Sequence, residues 1–324
     1  MAGEYTVSSG APLEEVVQAA YSRATDLAFL PSLYFAQFAQ QKKWDVRRGD
    51  PMPGDSVVFT IYNNLDPVTQ ELSDEYSDIT RVPVTCVQKS VELKEYGNVV
   101  TVTNRLRVTA FDNIDLAVAR VVGANMAVSV DAIARQAYDA QTGSDYVTYV
   151  GGGSSATDIT ADDTMTAEVI RKVYTRLERA NVPKFDGGFY VAVLHPDVIF
   201  DLRNEGYGTS NNTGTWRAPR EYCDPEEIYN GEIGAFEGFR VISSSQARIQ
   251  EDAGGDGCDV YTSYFLGYQA VAYAEGARPQ LRITGPFDNL GRTLNIGWYA
   301  LIGFGELRPE ALHKAFCASS VAQP

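Results

Sequence analysis

Apolar residues recur with helical spacing over one long stretch, Asp112 to Gly143 (DNIDLAVARVVGANMAVSVDAIARQAYDAQTG). Ile114, Ala117, Val118, Val121 and Val128 line one face, and Val122, Met126, Val130, Ile133 and Ala137 widen it. No proline interrupts the stretch, so it predicts a helix of about 30 residues, roughly 45 Å long. Asp112 is placed to cap the first turn, Asp115 puts a carboxylate against the positive end of the dipole, and Gly143 can take a left-handed closing residue. Asp131, Arg135 and Asp139 follow at i, i+4 and i+8 as one polar stripe. A globular helix averages about 11 or 12 residues. A rod this long and this apolar needs a broad partner surface. Its apolar faces are too wide for a coiled-coil seam, which points to a structural spine rather than a stalk.

The pattern elsewhere alternates between helix and strand. Residues 1–12 read as a tail. Pro12-Leu-Glu-Glu opens a helix with Leu13, Val16, Val17, Ala20 and Leu27 on one face, and after Pro31 the helical pattern resumes over Leu33–Trp44. Its aromatic residues, Tyr34, Phe35, Phe38 and Trp44, favour packing on the chain's own core, with a neighbouring subunit as the alternative. This arm ends in a basic cluster, Lys42, Lys43, Arg47 and Arg48. GDPMPG at 49–54 marks a turn. A strand at Ser56–Tyr62 and strand character from Arg81 flank an acidic run holding Asp66, Glu71, Asp74, Glu75 and Asp78, which together predict an extended hairpin. Tyr96-Gly97-Asn98 reads as a turn before a further strand, VVTVTNRLRV. A lone hairpin is barely stable in water, so an outside support is expected.

After the spine, GGGSS (151–155) reads as a linker and the best domain boundary; no Lys-Ser/Thr follows it, which disfavours a phosphate loop. Thr166–Ala180 predicts an amphipathic helix, Phe189–His195 a buried strand and Pro196–Asn204 a short helix. Asp224-Pro225 opens a short helix that Gly231 closes, and GEIGAFEGFRVISSS gives a turn and strand. Two strands or a hairpin bent at Gly267 occupy 259–274, and Leu294–Leu307 is strongly β-like. The order of elements predicts an α+β fold rather than alternating βαβ units.

Composition is that of an ordinary globular chain, 44% hydrophobic and 21% charged over 324 residues. The net charge of −15 changes the picture more. A protein built to grip nucleic acid by its phosphates shows the opposite balance. The acidity fits a solvated surface, or one that lies beside nucleic acid without holding it. Cys86, Cys223, Cys258 and Cys317 are too scattered for a metal site or a disulfide framework. Neither a secretory leader nor a membrane span is expected: Phe189–Leu194 and Ile296–Phe304 are far too short to cross a bilayer. No catalytic motif occurs, and no catalytic, cofactor or metal residue is nominated. His195 and His313 read as structural histidines. Asp162/Asp163 and Glu226/Glu227 read as charges at helix starts.

Three segments, VLHPDVIFDLRN (193–204), GEIGAFEGFRVISSS (231–245) and GPFDNLGRTLNIGWYALIGFGELRPEAL (285–312), resemble major capsid proteins of tailed phages of the phage N4 type. That resemblance begins near residue 30 and implies the Hong Kong 97-type capsid fold. The expected parts are an N-terminal arm (1–55), an extended E-loop hairpin (56–98), P-domain strands and spine (99–159), an A-domain (160–285), and a P-domain return strand with the C-terminus (286–324). It implies a shell subunit without a catalytic centre or cofactor. Hexamers and pentamers would enclose double-stranded DNA without reading its sequence, in a virion capsid assembled in the host cytoplasm. The implied partners are a separate scaffolding protein, a portal and, where one is used, a decoration protein. Encapsulin-type nanocompartments share the fold and remain the alternative, with an uncharacterised α+β enzyme more remote. Across a subunit boundary, Glu71, Asp74, Glu75 or Asp78 of one copy is expected to meet Lys42, Lys43, Arg47 or Arg48 of another.

Overall fold

A computed structural model describes residues 33–43, 56–62, 65, 81–110, 114–205, 231–285, 290 and 292–321. Before the spine come strands β1 (Gln40–Lys43), β2 (Ser56–Tyr62), β3 (Cys86–Glu92) and β4 (Lys94–Thr103) and a short helix, Asn104–Thr109. The spine helix itself spans Ile114–Asp139. Beyond it lie β5 (Val147–Tyr149), the helix Ala167–Arg179, β6 (Tyr190–Leu194) and the helix Pro196–Glu205. The remaining strands are β7 (Glu232–Phe236), β8 (Phe239–Ser243), β9 (Ile249–Gln250), β10 (Val260–Leu266), β11 (Val271–Thr284), β12 (Thr293–Glu306) and β13 (Leu312–Cys317).

These strands form three sheets. The largest runs β5-β13-β10-β6-β8-β7, with β9 on β10; the second runs β1-β11-β12-β4; β2 and β3 pair as a two-stranded ribbon. β6 and β10 are buried along their whole length, as expected of strands covered on both faces. The helices Ala167–Arg179 and Pro196–Glu205 contribute Ile170, Val173, Leu177, Val198, Ile199 and Leu202 to the core of this large sheet. Residues 147–149 and 312–317, which chain position groups with the spine, hydrogen-bond instead into the seven-stranded sheet.

The spine lies on the four-stranded sheet. Val122, Met126, Ala127 and Val130 pack on Trp298, Ala300 and Ile302 of β12. Asn125, polar in mid-helix, accepts from Trp298 Nε1 at 3.0 Å and from Asn98 Nδ2 at 3.2 Å, so one side chain ties the helix to β12 and β4. Among the described residues this is the one helix long and apolar enough to cross a membrane; here its contacts are those of a core helix.

The helix differs from expectation in three respects. Asp112 lies outside the described residues, and the helix stops at Asp139. Gly143 is extended (φ −60, ψ 126) and caps a following 3-10 turn instead of closing the spine. Val121 and Val128, expected to pack, are 67% and 46% exposed. Most consequential is the polar stripe, which faces inward: Asp131 is fully buried, and Asp139 accepts from Tyr264 Oη at 2.6 Å beside Arg135 and Arg248. Periodicity locates a stripe without saying which side meets water.

Other elements also depart from their patterns. Leu33–Trp44 is not helical where described: it forms a 3-10 turn at Ala36–Phe38 and then β1, which pairs in parallel with β11. Gly97-Asn98 is no turn. It lies inside β4, where a Cβ on Gly97 would come within 2.7 Å of the Trp298 carbonyl oxygen. Asn104–Thr109 is a helix, capped by Thr103 Oγ1 accepting from Leu106 N. The 259–274 segment forms two strands in different sheets, so it carries the chain from one to the other. Pro279 falls where the β11/β12 register shifts, the place a strand tolerates a missing donor. The short helix expected at Asp224 lies outside the described residues.

Gly303 in β12 sits against the Glu92 carbonyl at the end of β3, where the ribbon crosses the sheet, and a Cβ there would fall inside contact distance of that oxygen. Gly303→Ala is expected to cost about 3 kcal/mol, because a backbone carbonyl cannot move aside as a side chain can. A urea midpoint equal to that of the parent chain would contradict this reading.

Candidate inter-subunit surface

The hairpin root is held by one face of the ribbon. Val57 and Phe59 of β2 and Val91 of β3 are buried and join Leu93, Ala272, Ala274 and Leu307 in a small core. Alternation along β2 then turns Val58 and Tyr62 outward, 42% and 67% exposed, and β3 exposes Val87. Val82 and Val84, on the approach to β3, are also exposed. The expected outside support is therefore the face of β11 and β12 beneath one side of the ribbon, and the other side is left uncovered, with Val58 and Tyr62 exposed among polar residues.

A second set of exposed apolar side chains is spread over the four-stranded half. It comprises Val99 and Val100 on β4, Leu106 and Val108 on the short helix, and Val121 and Val128 on the spine. Val108 is 85% exposed. Single exposed apolar residues are ordinary; a concentration of them is what surfaces between protein partners commonly show.

Arm residues are fixed to their own subunit by a different device. Asp131 Oδ1 accepts backbone N–H groups from Tyr34, Phe35 and Ala36 at 2.9, 2.7 and 3.2 Å. Tyr138, seven residues along the spine, donates its Oη to the Phe35 carbonyl at 3.0 Å. The Phe35 ring packs against Tyr138 and edge-on to Tyr264, so residues 34–38 complete the chain's own core. Burial pushes Asp131 up to about 6 despite these hydrogen bonds. The sequence placed Asp131 on a polar stripe; its i+4 spacing carried no sign of this function.

Of the nominated contact residues, Lys42 lies in β1 and is described in full. Its Nζ donates to the Val58 carbonyl at 2.7 Å and stands 5.5 Å above the Phe59 ring, so it braces the hairpin root of its own chain. Lys43 ends β1, level with Glu275 of β11. Arg47, Arg48, Glu71, Asp74, Glu75 and Asp78 lie outside the described residues.

The titratable groups in the large sheet have structural partners. His195 is held below its usual value by burial, with Asp197 alongside and the Tyr261 ring 5.1 Å away. His313 is pushed down to about 4 by burial and by Arg176, and it shares a 2.7 Å hydrogen bond with Thr148. Burial drives the Cys317 thiol up to about 12, which leaves it an inert core residue. Asp163 accepts from Thr160 N and Oγ1 in a local turn rather than facing a helix start. Among the described residues no group of three or more His, Cys, Asp or Glu is placed to hold a metal ion.

A family of phage capsid proteins matches residues 19–310, nearly the whole chain. The chain belongs to the phage capsid protein family. No curated protein matches it in sequence. Solved structures similar to this capsid protein include the capsid of Ralstonia phage GP4 (TM-score 0.74, 15% identity, covering 89% of this chain and 88% of that one). The capsid of cyanophage P-SCSP1u follows at TM-score 0.62 and 14% identity, covering 89% of each chain. The SrpI encapsulin of Synechococcus elongatus is similar at TM-score 0.55 and 12% identity, covering 89% of this chain and 88% of that one. These likenesses show the fold: it is the Hong Kong 97-type capsid fold, α+β as the order of elements predicts. Membership of the family implies a place in the virion capsid.

Proposed function

We propose that this capsid protein is the major capsid protein of a tailed bacteriophage of the phage N4 type, assembling into hexamers and pentamers of an icosahedral shell around double-stranded DNA. The observation that carries the assembly reading is the hairpin, anchored through Val57, Phe59 and Val91 while Val58 and Tyr62 face outward on the uncovered side. In this reading the hairpin is the E-loop, the four-stranded sheet with its spine is the P-domain, and the seven-stranded sheet is the A-domain that gathers around the symmetry axes. The net charge of −15 suits a shell whose wall should not hold DNA tightly. A separate scaffolding protein and a portal would serve assembly, and a decoration protein could bind outside. The full chain, expressed and examined by size exclusion and negative-stain microscopy, is expected to give shells, capsomers or tubes. A stable monomer that stays monomeric even with the scaffolding protein present would count against it.

The SrpI encapsulin likeness keeps a second reading in view, a nanocompartment shell that encloses protein. Nucleic-acid content of particles isolated from their native source separates the two: double-stranded DNA supports the virion, and a protein cargo supports the nanocompartment.

The basic end of the arm and the acidic hairpin run remain proposed partners across a subunit boundary. Exposed pairs of this kind contribute about 0–1 kcal/mol each and chiefly set register. Charge reversal at Lys42 and Lys43 together is expected to reduce shell yield. Because Lys42 also braces Val58, the thermal midpoint of the unassembled subunit must be followed alongside. Unchanged shell yield would remove the proposal, and a yield loss that merely tracks a lowered midpoint would assign the effect to the hairpin root.

A further inference from the structure

The Gly-rich turn after the spine forms one wall of a cleft of about 700 Å³. The helix Ala167–Arg179 forms another wall, and β5 and β13 form the floor. Three cations line it, Lys172, Arg176 and Lys314, and no Asp or Glu does, in a chain where acids outnumber bases 42 to 27. Lys172 and Arg176 stand one turn apart on the same helix face. The two exposed cations, Lys172 and Arg176, have donors to spare. Lys172 Nζ meets Glu168 at 2.7 Å, outside the lining, while its side chain is 62% exposed. Arg176 Nη1 donates to Thr148 Oγ1 at 2.8 Å, and Lys314 Nζ donates to the Asp139 carbonyl at 2.9 Å. An ammonium carries three N–H donors and a guanidinium five, so the exposed Lys172 and Arg176 keep donors for a ligand, while Lys314, 5% exposed, adds charge from beneath them.

In the turn, Ser154 N and Ser155 N are held by Asp158 Oδ2, which leaves the backbone at Gly152 as the part open to a ligand. Gly151 and Gly152 both have φ +84, a conformation other residues resist, and nothing stands within 4 Å of where a Gly152 Cβ would be. Backbone at that position is open to close approach by a ligand. The stacked rings of Tyr149 and Phe316, 5.1 Å apart, give the cleft an aromatic side.

We propose that this cleft binds a phosphate-bearing small molecule, with Lys172 and Arg176 meeting the phosphate oxygens and Lys314 adding positive charge to the floor. The phosphate group can come from a free polyphosphate or from a nucleotide, whose base would rest on the aromatic side. Isothermal titration of the purified full chain with pyrophosphate and with ATP tests this. Saturable binding at one site per chain is expected, weakened about fivefold or more by Lys172→Gln and further by Arg176→Gln. Lys89→Gln, on the hairpin ribbon, should leave it unchanged. ATP binding tighter than pyrophosphate points to a nucleotide, and equal affinity to a free polyphosphate. Lys172→Gln is the deciding variant, since the exposed Lys172 bonds only within its own helix whereas Arg176 also holds Thr148. No saturable binding, equal weakening by Lys89→Gln, or equally tight binding of the dicarboxylate succinate would overturn the proposal.

Discussion

Val122→Pro is expected to leave no soluble folded subunit and therefore no shells. Val122 sits one-third of the way along a 26-residue helix, 4% exposed, against the β12 cluster of Trp298, Ala300 and Ile302. A proline there removes one helical hydrogen bond and drives its ring into the preceding turn, costing about 3 kcal/mol or more. The kink that relieves this clash must lift part of the helix from the sheet. The part before Val122 carries the Asp115–Arg107 ion pair at 2.9 Å, and the part after it carries Asn125, Asp131 and Tyr138, so either direction breaks further contacts. Whole domains are stable by only about 5–15 kcal/mol, and the combined loss falls in that range. Val122→Ala, which keeps the helix but vacates core volume, should cost about 2 kcal/mol and still fold. Val121→Ala, on the exposed side, should change stability by less than about 0.5 kcal/mol. Solubility, circular dichroism and electron microscopy of the three variants check the order. Shell-forming Val122→Pro protein would mean that the spine is not the support of this fold.

Much of the scaffold is legible in the sequence because its signals are local. The helix Ala167–Arg179 has Thr166 as its cap and Ile170, Val173 and Leu177 on one buried face, all readable from spacing. β6 and β12 stand where apolar runs and turn residues put them, whereas the single turn and strand read over 231–245 is two strands, β7 and β8, about a Glu237-Gly238 turn. What escaped depends on distant partners. β1 is a strand because β11, more than 200 residues on, offers an edge to Gln40–Lys43. Gly97 resembles a turn residue, yet it is required by a carbonyl on β12. β13 alternates weakly and gains its strand character from β10 and β5 on either side. For the contact surface, the sequence indicated an extended hairpin but put the weight on its charges. The described structure adds outward valines and Tyr62 on the hairpin and spine, whose exposure follows from which face the sheet covers.

Asp131 supplies the second large effect, through a contrast between two substitutions. Asp131→Ala strips the acceptor from three backbone N–H groups at Tyr34, Phe35 and Ala36 and leaves a void where the carboxylate stood. Buried donors left unmatched cost about 1–3 kcal/mol each; with some rescued by water, the total expected is about 4 kcal/mol. Asp131→Asn keeps an oxygen in place of Oδ1 and removes the buried charge. Its amide nitrogen would replace Oδ2, which has no hydrogen-bond partner among the described residues, so gain and loss nearly cancel and the variant should lie within about 1 kcal/mol of the parent at pH 7. The pH dependence gives the distinguishing sign. Asp131 rises from 3.8 to about 6 on folding, so between those values the folded chain holds a proton that the unfolded chain has released. Its contribution is therefore fully present below pH 4 and falls by about 3 kcal/mol as pH climbs through 6. Denaturant midpoints of the unassembled subunit from pH 4 to pH 7 should show that decline in the parent and a flatter profile in Asp131→Asn. If Asp131→Ala were as stable as Asp131→Asn, the three N–H contacts would not be what fastens the arm to the spine. If the Asn profile kept the parent's slope, the declining stability would have to come from another carboxylate.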